Sequence, residues 1–470
     1  MDYLSFILCL LLAWAAIYLL ISATQKDDQS HPRKLPPGPH SFPVIGHLPS
    51  LAKNPHTALA ELAKTYGPLI MVHLGQIPTV VISSATMAKE ILQNNDSSVS
   101  SRTVIDAVRA HNHHERSLIW LPDGPTWYNL SKISTTKIFS AASLDASQCL
   151  RSNIVDDLNS YLKKSSEDGR VVDIGELASN TTMNLLSTTL FSLDLNDPSN
   201  SENANIVQES IRGIMDLSGK PNLSDYFPML RKMDPLQIRR KIGVHFGKMI
   251  DLFNTMINQR LEGKRLTSSV QCNDALDALL STTRNEDQIA QPDIPHLFTD
   301  LLSAGADSTS TTLVWAMAEL LHNPEKLRKA KSELRKVIGI ENQIRESDIN
   351  RLPYLNAVIK ETLRLHPSVP LSVPRKADTD LKVFGFTVPK NAQILVNIWA
   401  IGRDPDVWDR PDEFDPDRFI GSGNGRDYEV ITFGSGRRFC PGRVMAVRML
   451  HLMLGSLIHG RLKVGFRERR

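Results

Sequence analysis

The chain has 470 residues, enough to bury a large core and, by length alone, to hold two or three domains. Its 54 basic and 51 acidic residues leave a net charge of +3, so composition carries no nucleic-acid footprint and no nucleic-acid partner is expected. Cys9, Cys149, Cys272 and Cys440 are widely scattered, with Cys9 in an apolar run, which argues against a disulfide framework and for a reducing compartment.

Residues 3–23 form an uncharged run of 21 residues, long enough to cross a bilayer as a helix. A cleaved signal peptide is the rival, but it would want a basic start and a shorter apolar core, and only Asp2 precedes the run. Residues 1–24 are therefore read as a retained membrane anchor. Lys26, Arg33 and Lys34 follow it, so the positive-inside bias leaves the rest of the chain on the cytoplasmic face. That makes the sequons at Asn95, Asn129, Asn180 and Asn222 non-sites. Residues 25–39 read as a polar linker ending in Leu35-Pro36-Pro37-Gly38-Pro39, a stiff hinge with fixed φ angles.

The spacing predicts a helix over 56–66, stopped by Gly67-Pro68. Residues 69–74 and 79–83 are β-rich and separated by Gly75-Gln76-Ile77-Pro78, a hairpin pattern. A short helix is expected over 87–93, then a long loop with helical pieces over 104–125. The loop holds His111-Asn112-His113-His114, read as polar surface or pocket lining because no matching ligand cluster is visible elsewhere in the sequence. Amphipathic helices dominate 144–265, broken at Asn196-Asp197-Pro198 and Gly219-Lys220-Pro221-Asn222. Helices continue to Leu365, followed by short strands over 381–388 and 394–398 and a Pro/Asp-rich meander over 403–419. Nothing from Pro43 onward looks like a domain linker, so residues 40–470 read as one large, mainly α domain with a small β portion.

Two helical segments carry polar groups that need explaining. In the apolar run 297–321, Gly305 is unfavourable by roughly 1 kcal/mol relative to Ala, which suggests a groove where another group comes close. Asp307 and Ser308 put an acid and a hydroxyl beside it. The plainer reading is a polar notch in a core helix. In Glu361-Thr362-Leu363-Arg364, spacing i,i+3 sets Glu361 and Arg364 on one face, by itself a surface ion pair worth little.

The most informative loop is Phe433-Gly434-Ser435-Gly436-Arg437-Arg438-Phe439-Cys440-Pro441-Gly442, followed by an apolar helical run over 445–458. A thiolate on such a loop suits a soft or borderline metal. Structural zinc takes four protein ligands and no Cys-x-x-Cys occurs, whereas a single axial sulfur suffices for haem iron. A buried free cysteine beside a glycine turn is the bland alternative.

Five positions of that loop, Phe433, Gly436, Arg438, Cys440 and Gly442, resemble the haem-ligand signature of the cytochrome P450 family. The order of further motifs is similar from the Pro-rich hinge to about His459. Segments such as Trp315-Ala316-Met317-Ala318-Glu319-Leu320 look like the plant microsomal group of geraniol hydroxylases and ferruginol synthases. The resemblance implies a cytochrome P450 fold, a haem b with Cys440 as axial ligand, and a structural network of Glu361, Arg364 and Arg418. It places Arg375, Arg438, Trp127 and Lys132 at the haem, Asp307, Ser308 and Thr309 in proton delivery, and Ala304, Val369 and Leu371 in the substrate pocket. It further implies NADPH oxidation through a cytochrome P450 reductase; Arg437, Arg443 and Arg448 near the cysteine loop are candidates to dock it, with a solvated basic face as the plainer reading. A membrane-anchored, endoplasmic-reticulum monooxygenase acting on a small apolar mono- or diterpenoid is the resulting expectation.

Three departures accompany the match. Ser308 stands where the family has Thr, Tyr128 and Ser131 replace two arginines of a Trp-Arg-x-x-Arg helix, and only 30 residues follow Cys440, with no strand-turn-strand pattern in 461–470. The alternative reading is a catalytically impaired or truncated isoform. A cytochrome that only transfers electrons would not need the groove of Gly305, Asp307 and Ser308.

Overall fold

The computed structural model describes residues 34–263, 274–282, 289–340, 342–421 and 431–459. The expected anchor at 3–23 and the tail 461–470 lie outside the described residues. Among the described residues no helix is long and apolar enough to cross a membrane.

The helices are α1 (Pro55–Tyr66), α2 (Ala85–Lys89), α3 (Pro125–Ile133), α4 (Ala141–Ala146), α5 (Gln148–Glu167), α6 (Ile174–Phe191), α7 (Ser201–Ser218), α8 (Leu223–Tyr226), α9 (Ile238–Leu261), α10 (Ala275–Thr282), α11 (Ile294–His322), α12 (Pro324–Ile338), α13 (Pro353–Leu365), α14 (Ile398–Ile401) and α15 (Arg443–His459). The strands are β1 (Leu69–Leu74), β2 (Ile77–Ile82), β3 (Ser101–Arg102), β4 (Arg375–Lys376), β5 (Leu381–Val383), β6 (Phe386–Val388) and β7 (Gln393–Val396). The mainly α reading with a small β portion therefore holds.

Local chemistry accounts for the boundaries. Prolines open α1, α3, α12 and α13, where a missing N–H is harmless. The expected hairpin forms as β1–β2, antiparallel with Leu69 opposite Ile82. The five-stranded sheet runs β1-β2-β7-β4-β3, with β2 and β7 parallel and the other pairs antiparallel. Two strand expectations are corrected. The segment 381–388 is a hairpin of β5 and β6, because Phe384 and Gly385 both take positive φ and reverse the chain. The strand expected over 394–398 ends at Val396, because Asn397 caps α14 by accepting from the Ala400 N–H. The scattered-thiol expectation also needs amending, since Cys149 is disulfide-bonded, while Cys440 is a free thiol.

Helix α11 is the axis of the helical part. It packs against α6, α7, α9, α12, α13 and α15, and Phe298 on it meets Phe191 of α6 and Phe253 of α9 at ring separations of 5.9 and 5.5 Å. The largest buried apolar cluster surrounds it, and two smaller clusters lie about the sheet. Gly305 meets the close approach expected of it, and the approaching group is protein: a Cβ there would stand 3.0 Å from Leu186 Cδ1 of α6, so the glycine serves close packing of α6 and α11.

Candidate functional site

The cysteine loop is shaped by two glycines with positive φ, Gly434 (76°) and Gly436 (67°). Gly436 has no room for a side chain, because a Cβ would collide with the Leu92 carbonyl and the Asp96 carboxylate. The Cys440 N–H donates to Phe433 O at 2.9 Å and closes the loop. Burial pushes the Cys440 thiol up, opposed by the N–H groups of Gly442 and Arg443, which point at the sulfur and stabilise its anion. Helix α15 starts at Arg443, so its positive end also favours a thiolate. This is a ligand's environment: a half-buried sulfur whose charge is supported by backbone donors.

Around the loop, three guanidiniums converge. Arg438 lies over the Trp127 ring at 4.1 Å and donates from Nε to Ser100 O at 2.8 Å, from Nη1 to Leu118 O at 3.3 Å and from Nη2 to Leu121 O at 2.5 Å. Arg375, on β4, donates to Ser435 O at 2.8 Å and pairs with Asp96 at 3.3 Å. Arg102, on the neighbouring β3, donates Nη1 to Val373 O at 2.8 Å and leaves a buried Nε without a partner. Burial, then repulsion from Arg375 and Arg438, holds Arg102 well below the usual guanidinium range. Burial and Arg375 likewise bring Arg438 down to about 10. Among the described residues, Asp96 is the one carboxylate in ion-pair contact with any of the three, through Arg375, and it is shared with Arg437. Clustered cations with an orphaned donor fit a dianionic group, such as the two carboxylates of a haem, beside a thiol suited to its iron.

Glu361, Arg364 and Arg418 come together as expected from the motif. Glu361 accepts from Arg364 Nε at 2.7 Å and Nη2 at 2.8 Å and from Arg418 Nε at 3.0 Å, and the side chains of Glu361 and Arg364 are fully buried. Thr432 Oγ1 donates to Leu363 O at 3.1 Å, which ties the approach to the cysteine loop onto the same helix, α13.

On α11 one stripe stays open although the helix is buried on its other faces. Ala304 and Asp307 are exposed, Ser308 and Thr311 are half-buried, and Trp315 is 43% exposed. Spacing of three and four residues puts them on one face. Burial, reinforced by Asp216, raises the Asp307 carboxyl above the ordinary range. Ser308 Oγ donates to Ala304 O at 2.6 Å. Thr309 is buried at 3% exposure, off this stripe.

The other expected positions scatter more. Phe433 packs against the main core, and Gly442 would bring a Cβ to 3.9 Å from Cys440 Sγ. Trp127 is buried, with its indole N–H given to Leu118 O at 3.2 Å, whereas Lys132 stands on the exposed side of α3. Val369 is exposed, and Leu371 packs against the small cluster of Leu51, Leu59 and Ile70. Arg437 and Arg448 are engaged in pairs with Asp123 and with Asp145 and Glu346. Arg102 was not anticipated. A lone arginine after two serines carries no local pattern, and only its pairing with β4 reveals it. His113, expected on a polar loop, is instead buried against His296 and Asp300 of α11.

Residues 36–460 match the family model described as Cytochrome P450. A geraniol 8-hydroxylase from Catharanthus roseus is 48% identical over 463 residues, 98% of this chain and 92% of that protein. A drimenol monooxygenase from Persicaria hydropiper is 46% identical over 463 residues, covering 98% and 90%. A zebra fish cytochrome P450 solved with progesterone superposes with a TM-score of 0.74 at 25% identity, over 86% of this chain and 91% of that one.

Proposed function

The chain belongs to the cytochrome P450 family, on the side of its plant geraniol hydroxylases, and from that membership we propose a reaction and a substrate class. It is a haem-thiolate monooxygenase. The proposed reaction inserts one oxygen atom from O2 into a C–H bond of a small apolar mono- or diterpenoid, with electrons passed from NADPH by a cytochrome P450 reductase. Bound haem supplies the activation of dioxygen. The observation that carries the reading is the pairing of the half-buried Cys440 thiol with the three under-compensated arginines.

Each side chain then has a task its surroundings allow. Cys440 would hold the iron of a bound haem through its sulfur, and the Gly442 and Arg443 N–H groups steady the charge on that sulfur. Arg102, Arg375 and Arg438 would hold the group by neutralising its two carboxylates. Ala304 keeps the stripe of α11 low, leaving room for an apolar molecule. Asp307, with its raised pKa, holds a proton more readily than an ordinary carboxylate, and Ser308 is one side chain along the same face to pass it. With its hydroxyl hydrogen on Ala304 O, Ser308 keeps oxygen lone pairs free to accept that proton. The terpenoid class is supported by the geraniol and drimenol named for two relatives. A single domain over 40–470, an anchor at 1–24 and an endoplasmic-reticulum location complete the proposal.

Microsomes carrying the protein and a reductase, given geraniol and a panel of diterpene olefins, test it. An oxygenated product that requires NADPH and O2 is expected. A normal thiolate spectrum with no product from any terpenoid would overturn the substrate class and favour the impaired reading, in which Ser308 does not deliver protons.

A further inference from the structure

We propose that His113, Ser117 and Asp300 form a latch that fixes the loop before α3 against α11 and thereby sets where a substrate lies. This rests on the monooxygenase reading above. The latch is buried and closely bonded. His113, Ser117, His296 and Asp300 are 2%, 0%, 5% and 4% exposed. His113 Nε2 is 2.9 Å from Asp300 Oδ1, and its Nδ1 is 2.9 Å from His296 Nδ1. Ser117 Oγ donates to Asp300 Oδ2 at 2.7 Å and itself accepts from the N–H groups of Ile119 and Trp120 at 3.1 and 3.2 Å. Phe246 of α9 stacks on the His113 ring at 4.4 Å and holds its plane.

The bonds assign the protons. An ionised Asp300 can only accept, so His113 carries its hydrogen on Nε2 and presents Nδ1 as an acceptor to His296 Nδ1–H. Burial, with His113 next, pushes His296 down to about 4, which keeps that ring neutral and able to play this part. Every donor hydrogen in these bonds thus meets an acceptor, which marks a positioning device rather than a catalytic one.

Placement gives the latch its reach. Asp300 precedes Asp307 by two helical turns on the same face of α11, about 10 Å along the axis. The strand of loop it grips, 117–121, is held at its other side by Arg438, which donates to the carbonyls of Leu118 and Leu121. Five residues therefore bridge the arginine cluster and the open stripe of α11. The half-buried Ile119 and Trp120 stand between the pinned atoms. Releasing Asp300 frees one end of this bridge while Arg438 keeps the other.

Ser117→Ala and His113→Phe, the latter keeping the ring against Phe246, remove the bonds singly, and His113→Gln can restore a donor to Asp300. Amide hydrogen exchange at Ile119 and Trp120 is expected to rise about tenfold in the first two, with α15 unchanged. KM for the turned-over terpenoid is expected to rise about tenfold, with a smaller fall in kcat and a changed ratio of oxidised positions. The Gln variant should return toward wild type in each, and the carbonmonoxy spectrum should persist throughout. Unchanged exchange in both variants overturns the latch. Faster exchange with unaltered KM and product ratio overturns its role in placing substrate. If the wild type makes no product, the exchange data and the dissociation constant of a terpenoid ligand still decide the latch, separately from the monooxygenase reading.

Discussion

Two clusters of buried arginines lie on either side of the cysteine loop, and they are built on opposite principles. Arg364 has all its N–H directions answered: two by the Glu361 carboxylate and the rest by the carbonyls of Gly402, Pro411 and Glu413, at 2.5 to 3.0 Å. The third member, Arg418, shares the same carboxylate. In the other cluster Arg102 and Arg438 rely on carbonyls, Arg375 alone reaches a carboxylate, Asp96, which it shares with Arg437, and neighbouring guanidiniums push the pKa of Arg102 and Arg438 down. The first cluster is complete within the protein and serves the scaffold. The second is complete only with an external anion, and this separates structure from site more clearly than burial does.

The contrast can be broken at its saturated end. Glu361→Ala strands two cations in the interior and is expected to destabilise the chain by ~3–5 kcal/mol, read as a lower denaturant midpoint. A midpoint shift as small as that of an exposed ion pair would mean that the network is not structural. Asp307 comes next. Asp307→Asn is expected to slow turnover about 100-fold with substrate binding little changed, as for loss of a positioned proton donor. Because folding raises the Asp307 pKa, the group favours the folded state most below its ordinary carboxylate range, and that contribution is lost as pH rises through the raised value. The Asn variant should therefore be more heat-resistant than wild type at neutral pH, with the advantage fading on acidification.

The open cluster gives the finest test. Arg102→Met removes one of three mutually repelling cations, so the haem-free protein is expected to gain a few degrees in melting temperature, while haem dissociates about tenfold faster. Loss of stability in both forms would show that the cluster is balanced by itself.

Much of this was legible because the informative residues come in local motifs. The cysteine loop, the Glu361/Arg364 spacing and the hairpin β1–β2 each declare themselves within about ten residues. What escaped depends on contacts between distant segments. Arg102 acquires meaning only when β3 pairs with β4, and His113 only when its loop meets α11, nearly two hundred residues later. Gly305 was legible only in part, because a glycine inside a helix signals close approach without saying of what; the neighbour is Leu186. Strand 381–388 failed for the converse reason: Phe384 gives no hint of the positive φ that Gly385 and the hairpin impose on it.

The central claim is that Cys440 ligates haem iron, and the absorption spectrum of the reduced, carbon monoxide-bound protein tests it most directly. A red-shifted thiolate Soret band is expected in the wild type and should vanish in Cys440→Ala. Its absence from correctly folded wild type, or its survival in the variant, would contradict the assignment.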